Sequence, residues 1–201
     1  MKRLILIFIL TLSFQSWTKA DDIRDFQIEG MSIGDSLLEF FNEKIINKDK
    51  AFYKSNKFYQ VSIDEKKFNV YEGVNFQLKN NDKNYIIHSL SGVITKDIKK
   101  CLKDQKIILN DIKSLFTNAE IYDEGKRKHP AYEDSFTYDI YVMVNNDMIS
   151  VSCYDINETG YSDAMLVLVD TAEFNSFLNN DNNLLIVTLN SFLNIELVLI
   201  K

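Results

Sequence analysis

Hydrophobic residues recur along the chain with two spacings, and these spacings predict where helices and strands lie. Apolar residues three and four positions apart fill the segment after Asp97, which predicts a helix that ends near Asn118 with one buried face. Alternating apolar and polar residues fill 68–94, around an Asn-Asn-Asp turn, and predict a β-hairpin. A second hairpin with the same turn residues is predicted over 136–156.

A shorter helix is predicted from the stretch 26–41. Gly34 ends a turn there, and Asp35 or Ser36 then caps the helix, as Asp97 caps the longer one. Ser36 and Glu39 match a capping box, in which a hydroxyl and a carboxylate each satisfy a free backbone N–H. Apolar residues at helical spacing follow at Leu37, Leu38, Phe41 and Ile45.

The order of the elements predicts the fold class. The sequence predicts a strand at 57–63 and a polar charged loop at 123–134. It also predicts a strand apolar enough to be central at 164–169 and a helical turn at 174–178. We therefore expect an α+β domain over 21–180, with two helices packed on one face of an antiparallel sheet. A helix followed by strands is predicted twice along the chain. This order suggests a tandem α-β-β pseudo-repeat, with halves 21–96 and 97–180.

Both ends of the chain differ from this domain. Residues 1–20 begin with the basic residues Lys2 and Arg3, followed by a short apolar run and the small residues Thr18 and Ala20. This pattern is typical of a cleaved signal peptide, with an uncleaved anchor as the alternative. A periplasmic or secreted protein is the expectation. The tail 181–201 is apolar over 184–200 but interrupted by polar residues, which favours an added strand, a hairpin or a docked helix over membrane contact.

Charge narrows the classes of partner. The chain has 23 basic and 29 acidic residues, a net charge of −6, and loss of the basic N-terminal segment would make it more acidic. This sign disfavours nucleic acid and anionic membranes as partners. The basic cluster 126–128 is interpreted as part of a solvated loop. An unknown protein or a small ligand remains as the expected partner.

The two cysteines, Cys101 and Cys153, leave two alternatives open. Export would place them in an oxidising compartment, where a disulfide closing a loop of about 50 residues would stabilise the fold by about 4 kcal/mol. Two buried free thiols are the other alternative, because the sequence does not supply the Cα separation that a disulfide requires.

The sequence contains no complete catalytic set. The stretch 34–37 resembles the first block of GDSL-type esterases, but neither His88 nor His129 follows an aspartate by three residues, as the base of that family does. Ser36 is therefore interpreted as a helix cap, and no catalytic residue is assigned.

No metal or cofactor site is predicted either. The stretch 155–163 places oxygen ligands at alternating positions, as calcium loops do, but Leu166 stands where a bidentate glutamate is needed. The histidines and cysteines lack a zinc-like spacing. One group of aromatic residues could form a binding platform or simply pack across strands: Tyr132, Phe136, Tyr138, Tyr141, Tyr154 and Tyr161.

One resemblance can be named on these residues. The stretch 26–38, the pattern Tyr-x-Ile-x-Ser-x-x-Gly at 85–92, the helix with Cys101 and the strand with Cys153 look like a group of uncharacterised small exported (periplasmic) proteins of AT-rich marine alphaproteobacteria. The resemblance covers about 21–178 and implies no activity. The element order is also loosely similar to periplasmic BamE-like modules, which is an analogy of fold alone.

The sequence thus predicts an exported, non-enzymatic module that binds a protein or small ligand through its sheet face or loops. The alternatives are an envelope hydrolase-type enzyme with dispersed carboxylates and an envelope assembly factor tethered by its tail.

Overall fold

A single antiparallel sheet dominates the structure. A computed structural model describes residues 22–48, 50–64 and 68–179, so the predicted signal peptide (1–20) and the apolar tail (181–201) lie outside the described residues. Eight strands form the sheet within these described ranges, and every neighbouring pair is antiparallel. They are β1 (Lys50–Phe52), β2 (Phe58–Ile63), β3 (Gly73–Lys79), β4 (Ile87–Thr95), β5 (Glu120–Lys128), β6 (Phe136–Val144), β7 (Asp147–Asp155) and β8 (Ala164–Asp170).

The sheet consists of two four-stranded meanders joined at its centre. The strand order is β1-β2-β3-β4-β8-β7-β6-β5, so the last strand of each meander pairs with the other. Ser91 on β4 lies opposite Leu168 on β8 in this central pairing. The short strand β1 and the long strand β5 are the two edges of the sheet that the described residues form.

Three helices accompany the described sheet: α1 (Glu43–Ile46), α2 (Ile98–Leu115) and α3 (Ala172–Leu178). Only α2 is long, and it lies mainly against β7. Two short 3₁₀ turns, Ile23–Asp25 and Leu37–Glu39, precede α1. None of these described helices is long and apolar enough to cross a membrane.

The predicted α+β class, with two helices packed on a sheet, is wrong. Strands account for 42% of the described residues and helices for 23%, and a single long helix lies on the sheet. The pseudo-repeat is wrong as well, because each half contributes four strands. The first predicted helix fails because Ser36 bridges to Ile86 in an extended pairing, which leaves only one 3₁₀ turn before Asn42 starts the four-residue α1.

The main core lies on one face of the sheet, which we call the apolar face. Alternating side chains of the central strands meet α2 and the N-terminal segment there, including Phe76, Leu90, Val151, Val167 and Val169, all 1% exposed or less. From the N-terminal side, Ile28, Met31, Leu37 and Ile46 pack into the same cluster. Burial of this apolar area supplies the main driving force for the fold.

A disulfide and one buried amide fix α2 to this face. Cys101 on α2 is bonded to Cys153 on β7, with the Cα atoms 5.9 Å apart. One helical turn later, Nε2 of the buried Gln105 donates to the carbonyl oxygens of Tyr138 and Val151, at 2.8 Å each. The helix is therefore held to β6 and β7 by a covalent bond and by two hydrogen bonds.

Asp97 caps α2, and its removal gives a testable prediction. Its carboxylate accepts hydrogen bonds from the backbone N–H groups of Lys99 and Lys100 at 3.1 and 3.3 Å. We expect Asp97→Ala to lower the free energy of unfolding by about 1 kcal/mol, because these N–H groups lose their acceptor. Urea denaturation measures this change, and Lys106→Ala, at an exposed site in the middle of α2, is the control. Equal loss in both variants would contradict the cap.

Candidate functional site

The face of the sheet opposite α2 carries polar side chains, and we call it the polar face. Because residues paired directly across antiparallel strands lie on the same face, the register defines one continuous row across four strands. The row comprises Gln60, Gln77, Ser89 and Asp170, which we call the polar row. Ser91, Ser150, Ser152, Thr137 and Asp139 lie on the same face, and all five are buried.

Asp170 is the chemical focus of this face. It ends β8, opposite Ser89, and its side chain is 1% exposed. Burial raises its pKa to about 7, although a hydrogen bond from Ser89 opposes the shift. Its Oδ1 has no hydrogen-bond partner among the described residues. A buried carboxyl oxygen without a partner is rare, because it loses its hydration without replacement.

An amide relay runs from this region towards the edge strand. The hydroxyl of Tyr53 donates to Oε1 of Gln77 at 3.2 Å. Nε2 of Gln77 donates to Oε1 of Gln60 at 2.9 Å, and Nε2 of Gln60 donates to Ser62 at 3.0 Å. Burial and the nearby Asp170 carboxyl raise the pKa of Tyr53, so its phenol stays protonated at neutral pH. The relay therefore fixes the orientation of each amide along the row.

The short helix α3 starts directly after Asp170 and covers this end of the polar face. Its aromatic residues Phe174 and Phe177 pack on Tyr53 and Phe58 with ring centroids 4.7–5.8 Å apart. These four residues form a small cluster of their own, separate from the main core. The helix thus depends on a local cluster for its position.

Charged groups surround the outer side of α3. Glu173 contacts Lys79 at 2.7 Å and Lys57 at 3.4 Å, and hydrogen bonding by Lys79 lowers the pKa of Glu173. Nδ1 of His88 lies 3.7 Å from the same carboxylate. Burial, followed by the charge of Lys79, lowers the pKa of His88, so the imidazole is neutral at neutral pH. These contacts are mostly exposed and hold α3 only weakly.

At the other end of the polar face, Asp139 is 5% exposed and its carboxylate has hydrogen-bond partners. It accepts hydrogen bonds from Arg127 at 2.8 Å and from the hydroxyl of Thr137 at 2.7 Å. Asp139 lies two strands and four residues away from Asp170 in the register, which corresponds to about 16 Å. Acid–base pairs of carboxylates in glycoside hydrolases lie roughly 5–10 Å apart, so these two do not form one.

The residues predicted as helix caps serve the backbone. The Ser36 hydroxyl donates to the carbonyl oxygen of Asn84 at 2.6 Å and accepts from the N–H of Leu38 at 3.4 Å. The carboxylate of Asp35 accepts from the N–H of Ser32 at 2.8 Å, which places it in a turn before the 3₁₀ segment. In these contacts Ser36 has no base beside it that could activate it as a nucleophile.

The calcium-like stretch 155–163 uses its last carboxylate for structure. Asp163 accepts from the N–H groups of Ile156 and Ile98 at 3.0 Å each, and so ties the loop before β8 to the start of α2. The amide of Asn157 points to the carbonyl oxygen of Asp134 at 2.9 Å. Across 22–48, 50–64 and 68–179, no three His, Cys, Asp or Glu side chains are grouped closely enough to hold a metal ion.

The predicted aromatic group is divided between the two faces. Tyr138 lies opposite Cys153 and packs, partly buried, against the main core. Tyr154 lies on the polar face and contacts His129, whose ring stacks on Tyr132 at 4.7 Å. Tyr132 in turn contacts Tyr161 at 5.0 Å. The aromatic side chains thus form a small loop cluster rather than one flat platform.

Sequence reasoning did not identify the polar row. A signal was present, since serines alternate with apolar residues in Ser89–Leu90–Ser91 and again from Ser150 to Ser152. Serines at alternate positions of central strands indicate a polar second face. The role of Asp170 needed the structure, because its burial depends on α3 and on the neighbouring strands.

Comparison of the chain with protein-family models, with curated proteins and with solved structures finds no match in any of the three.

Proposed function

We propose that this protein is an exported, non-enzymatic binding module that holds its partner on the polar face of the sheet. The observation that carries the proposal is Oδ1 of Asp170, a buried acceptor without a partner among the described residues. Leaving such an atom unsatisfied costs about 1–3 kcal/mol. A bound group that donates a hydrogen bond to this oxygen would recover that free energy.

The surroundings of Asp170 define the class of ligand. Ser89 lies opposite Asp170, and Gln77 and Tyr53 continue the preorganised set of hydroxyl and amide groups beyond it. The chain is acidic, with a net charge of −6, which favours the approach of cations. We therefore expect a ligand with a primary amine or a lysine side chain, bound more tightly once Asp170 is ionised.

Access to Asp170 requires movement of α3. The helix has seven residues and rests on the four-residue aromatic cluster rather than on the main core. Segments with few buried contacts open at a lower free energy than the whole domain. A ligand would therefore reach Asp170 from the side that α3 covers.

Export is supported by two features. The disulfide between Cys101 and Cys153 is of a kind that persists in oxidising compartments. The sequence pattern of residues 1–20 matches a signal peptide. Cell fractionation and N-terminal sequencing test this proposal, and a cytosolic protein that retains Met1 would contradict it.

The binding proposal predicts a pH-dependent interaction with amines. In a titration of the ¹⁵N-labelled protein with acetyl-trilysine amide, we expect saturable shifts at Ser89 and Gln77 that are stronger at pH 8 than at pH 6. Asp170→Asn should weaken binding by tenfold or more, while Asp111→Asn, an exposed site on α2, should not. The absence of saturable shifts, or equal binding by both variants, would contradict the proposed ligand class.

One observation favours an enzyme as the second candidate, since a carboxyl with a raised pKa is suited to acid–base catalysis. The distance of about 16 Å to Asp139 argues against a carboxylate pair. Hydrolysis of nitrophenyl esters or glycosides that Asp170→Asn abolishes would support the enzyme over the binding module.

A further inference from the structure

The strand β5 forms an open edge of the sheet. It pairs with β6 on one side, and the described part of the chain places no strand on the other side. The strand has nine residues, and all except Ile121 are exposed. An edge of this length presents a row of backbone N–H and C=O groups that another strand can pair with.

The charges along this edge are sorted by sign. Before Gly125 the charged residues are all acidic, and after it they are all basic: Glu120, Asp123 and Glu124, then Lys126, Arg127 and Lys128. Gly125 marks the boundary, with a φ of 63° at a break in the register with β6. Reversing the direction of this strand therefore exchanges its negative and positive ends.

We propose that the edge of β5 pairs with the same edge of a second copy of this chain, antiparallel about a two-fold axis at Gly125. In that orientation the acidic half of each strand lies opposite the basic half of the other, and cross-strand pairs of opposite charge stabilise a sheet. A parallel arrangement would place like charges together. A two-fold dimer is also the commonest symmetry of self-association, because each contact is made twice.

Protection of the edge is the competing interpretation. Charged residues and bulges keep edge strands from pairing, and β5 has both. Protection of an edge requires charged residues, but it does not require acidic and basic residues to occupy separate halves of the strand. Some basic side chains are also held along the strand, since Arg127 contacts Asp139 and Nζ of Lys126 lies 3.7 Å above the Phe136 ring. These contacts hold both side chains against β6.

The expected dimer is weak. Pairing of one strand with another buries less than the roughly 1,200–2,000 Å² of standard stable interfaces. The net charge of −6 per chain adds a general repulsion, while the local attraction is screened by salt. We therefore expect the dimer at protein concentrations of about 100 µM or more and at low ionic strength.

Complementary charge variants test the proposal. In sedimentation equilibrium at low salt, the wild type should approach twice its monomer mass as concentration rises. Lys126→Glu with Lys128→Glu makes the edge mostly acidic, with Arg127 as its remaining basic residue, and Glu120→Lys with Glu124→Lys makes it mostly basic. Each double variant alone should remain a monomer, and an equimolar mixture of the two should form the dimer again.

A matched control makes the same charge change elsewhere. Lys103→Glu with Lys106→Glu alters two exposed residues of α2 and should leave the dimer intact. A wild type that stays monomeric, a dimer that persists in both edge variants, or a mixture that fails to associate would overturn the proposal. Circular dichroism verifies that each variant is folded, and Asp170→Asn should dimerise normally because its site is separate from β5.

Discussion

Asp170→Asn is expected to make the protein more stable at pH 8 and to remove most of the change in stability between pH 4 and pH 8. Burial raises the pKa of this carboxyl from 3.8 to about 7, so the folded protein keeps a proton that the unfolded chain loses. The stabilising effect of that proton is complete below pH 4 and is lost as the pH rises towards 7. The loss amounts to about 4 kcal/mol for a shift of this size.

Urea denaturation at several pH values measures this effect. The free energy of unfolding of the wild type should fall between pH 4 and pH 7 and level off above, whereas that of Asp170→Asn should change much less. Asp111→Asn is the control and should follow the wild type. Within the described structure, Tyr53 and Ser89 face the carboxyl, and Tyr53 remains protonated over this range. Parallel curves for wild type and Asp170→Asn would show that Asp170 is ionised in the folded protein.

Loss of the disulfide should have an effect of similar size. Cys101 and Cys153 are separated by 52 positions, and closing such a loop stabilises a protein by about 4 kcal/mol in the loop-entropy model. The bond also holds α2 on the apolar face. We expect Cys101→Ala with Cys153→Ala to unfold at clearly lower urea than the wild type, with the loss of α2 reported by far-ultraviolet circular dichroism.

Reduction of the wild type provides the matched control. Both cysteine side chains are fully buried, so the alanine variant loses two sulfur atoms from the core in addition to the bond. Dithiothreitol breaks the bond and keeps those atoms, so the difference between the two experiments isolates the cavity. Equal urea midpoints for the oxidised and reduced wild type would contradict a stabilising role.

The buried elements were predictable from the sequence. The hairpin of β6 and β7 and the central strand β8 are confirmed, because their alternation or continuous apolarity reflects burial. The hairpin over 68–94 is confirmed for β3 and β4, although its strand begins only at Gly73. The helix after Asp97 is confirmed as α2.

The elements that were predicted wrongly have no such signal of burial in the sequence. The predicted loop 123–134 is partly the edge strand β5, which is exposed on both faces and therefore shows no alternation. The first predicted helix fails because its capping residues are equally suited to a turn, and because Ser36 pairs with the distant Ile86. Long-range pairing of this kind overrides local propensity.

The candidate site was even less predictable. An aspartate at the end of an apolar strand usually indicates the start of a turn. What distinguishes Asp170 is that Ser89 lies opposite it and α3 lies over it, and both depend on the meanders joining through β4 and β8.

That central junction has a consequence for the order in which the chain folds. The first meander can form once β4 is available, but the second partner of β4 is β8, the last strand of the described sheet along the chain. Until β8 arrives, β4 presents the unprotected edge of a central strand, with Leu90 and Val93 among its side chains. A chain that stops before residue 164 would therefore be expected to aggregate, and a chaperone that delays collapse would find its target at β4.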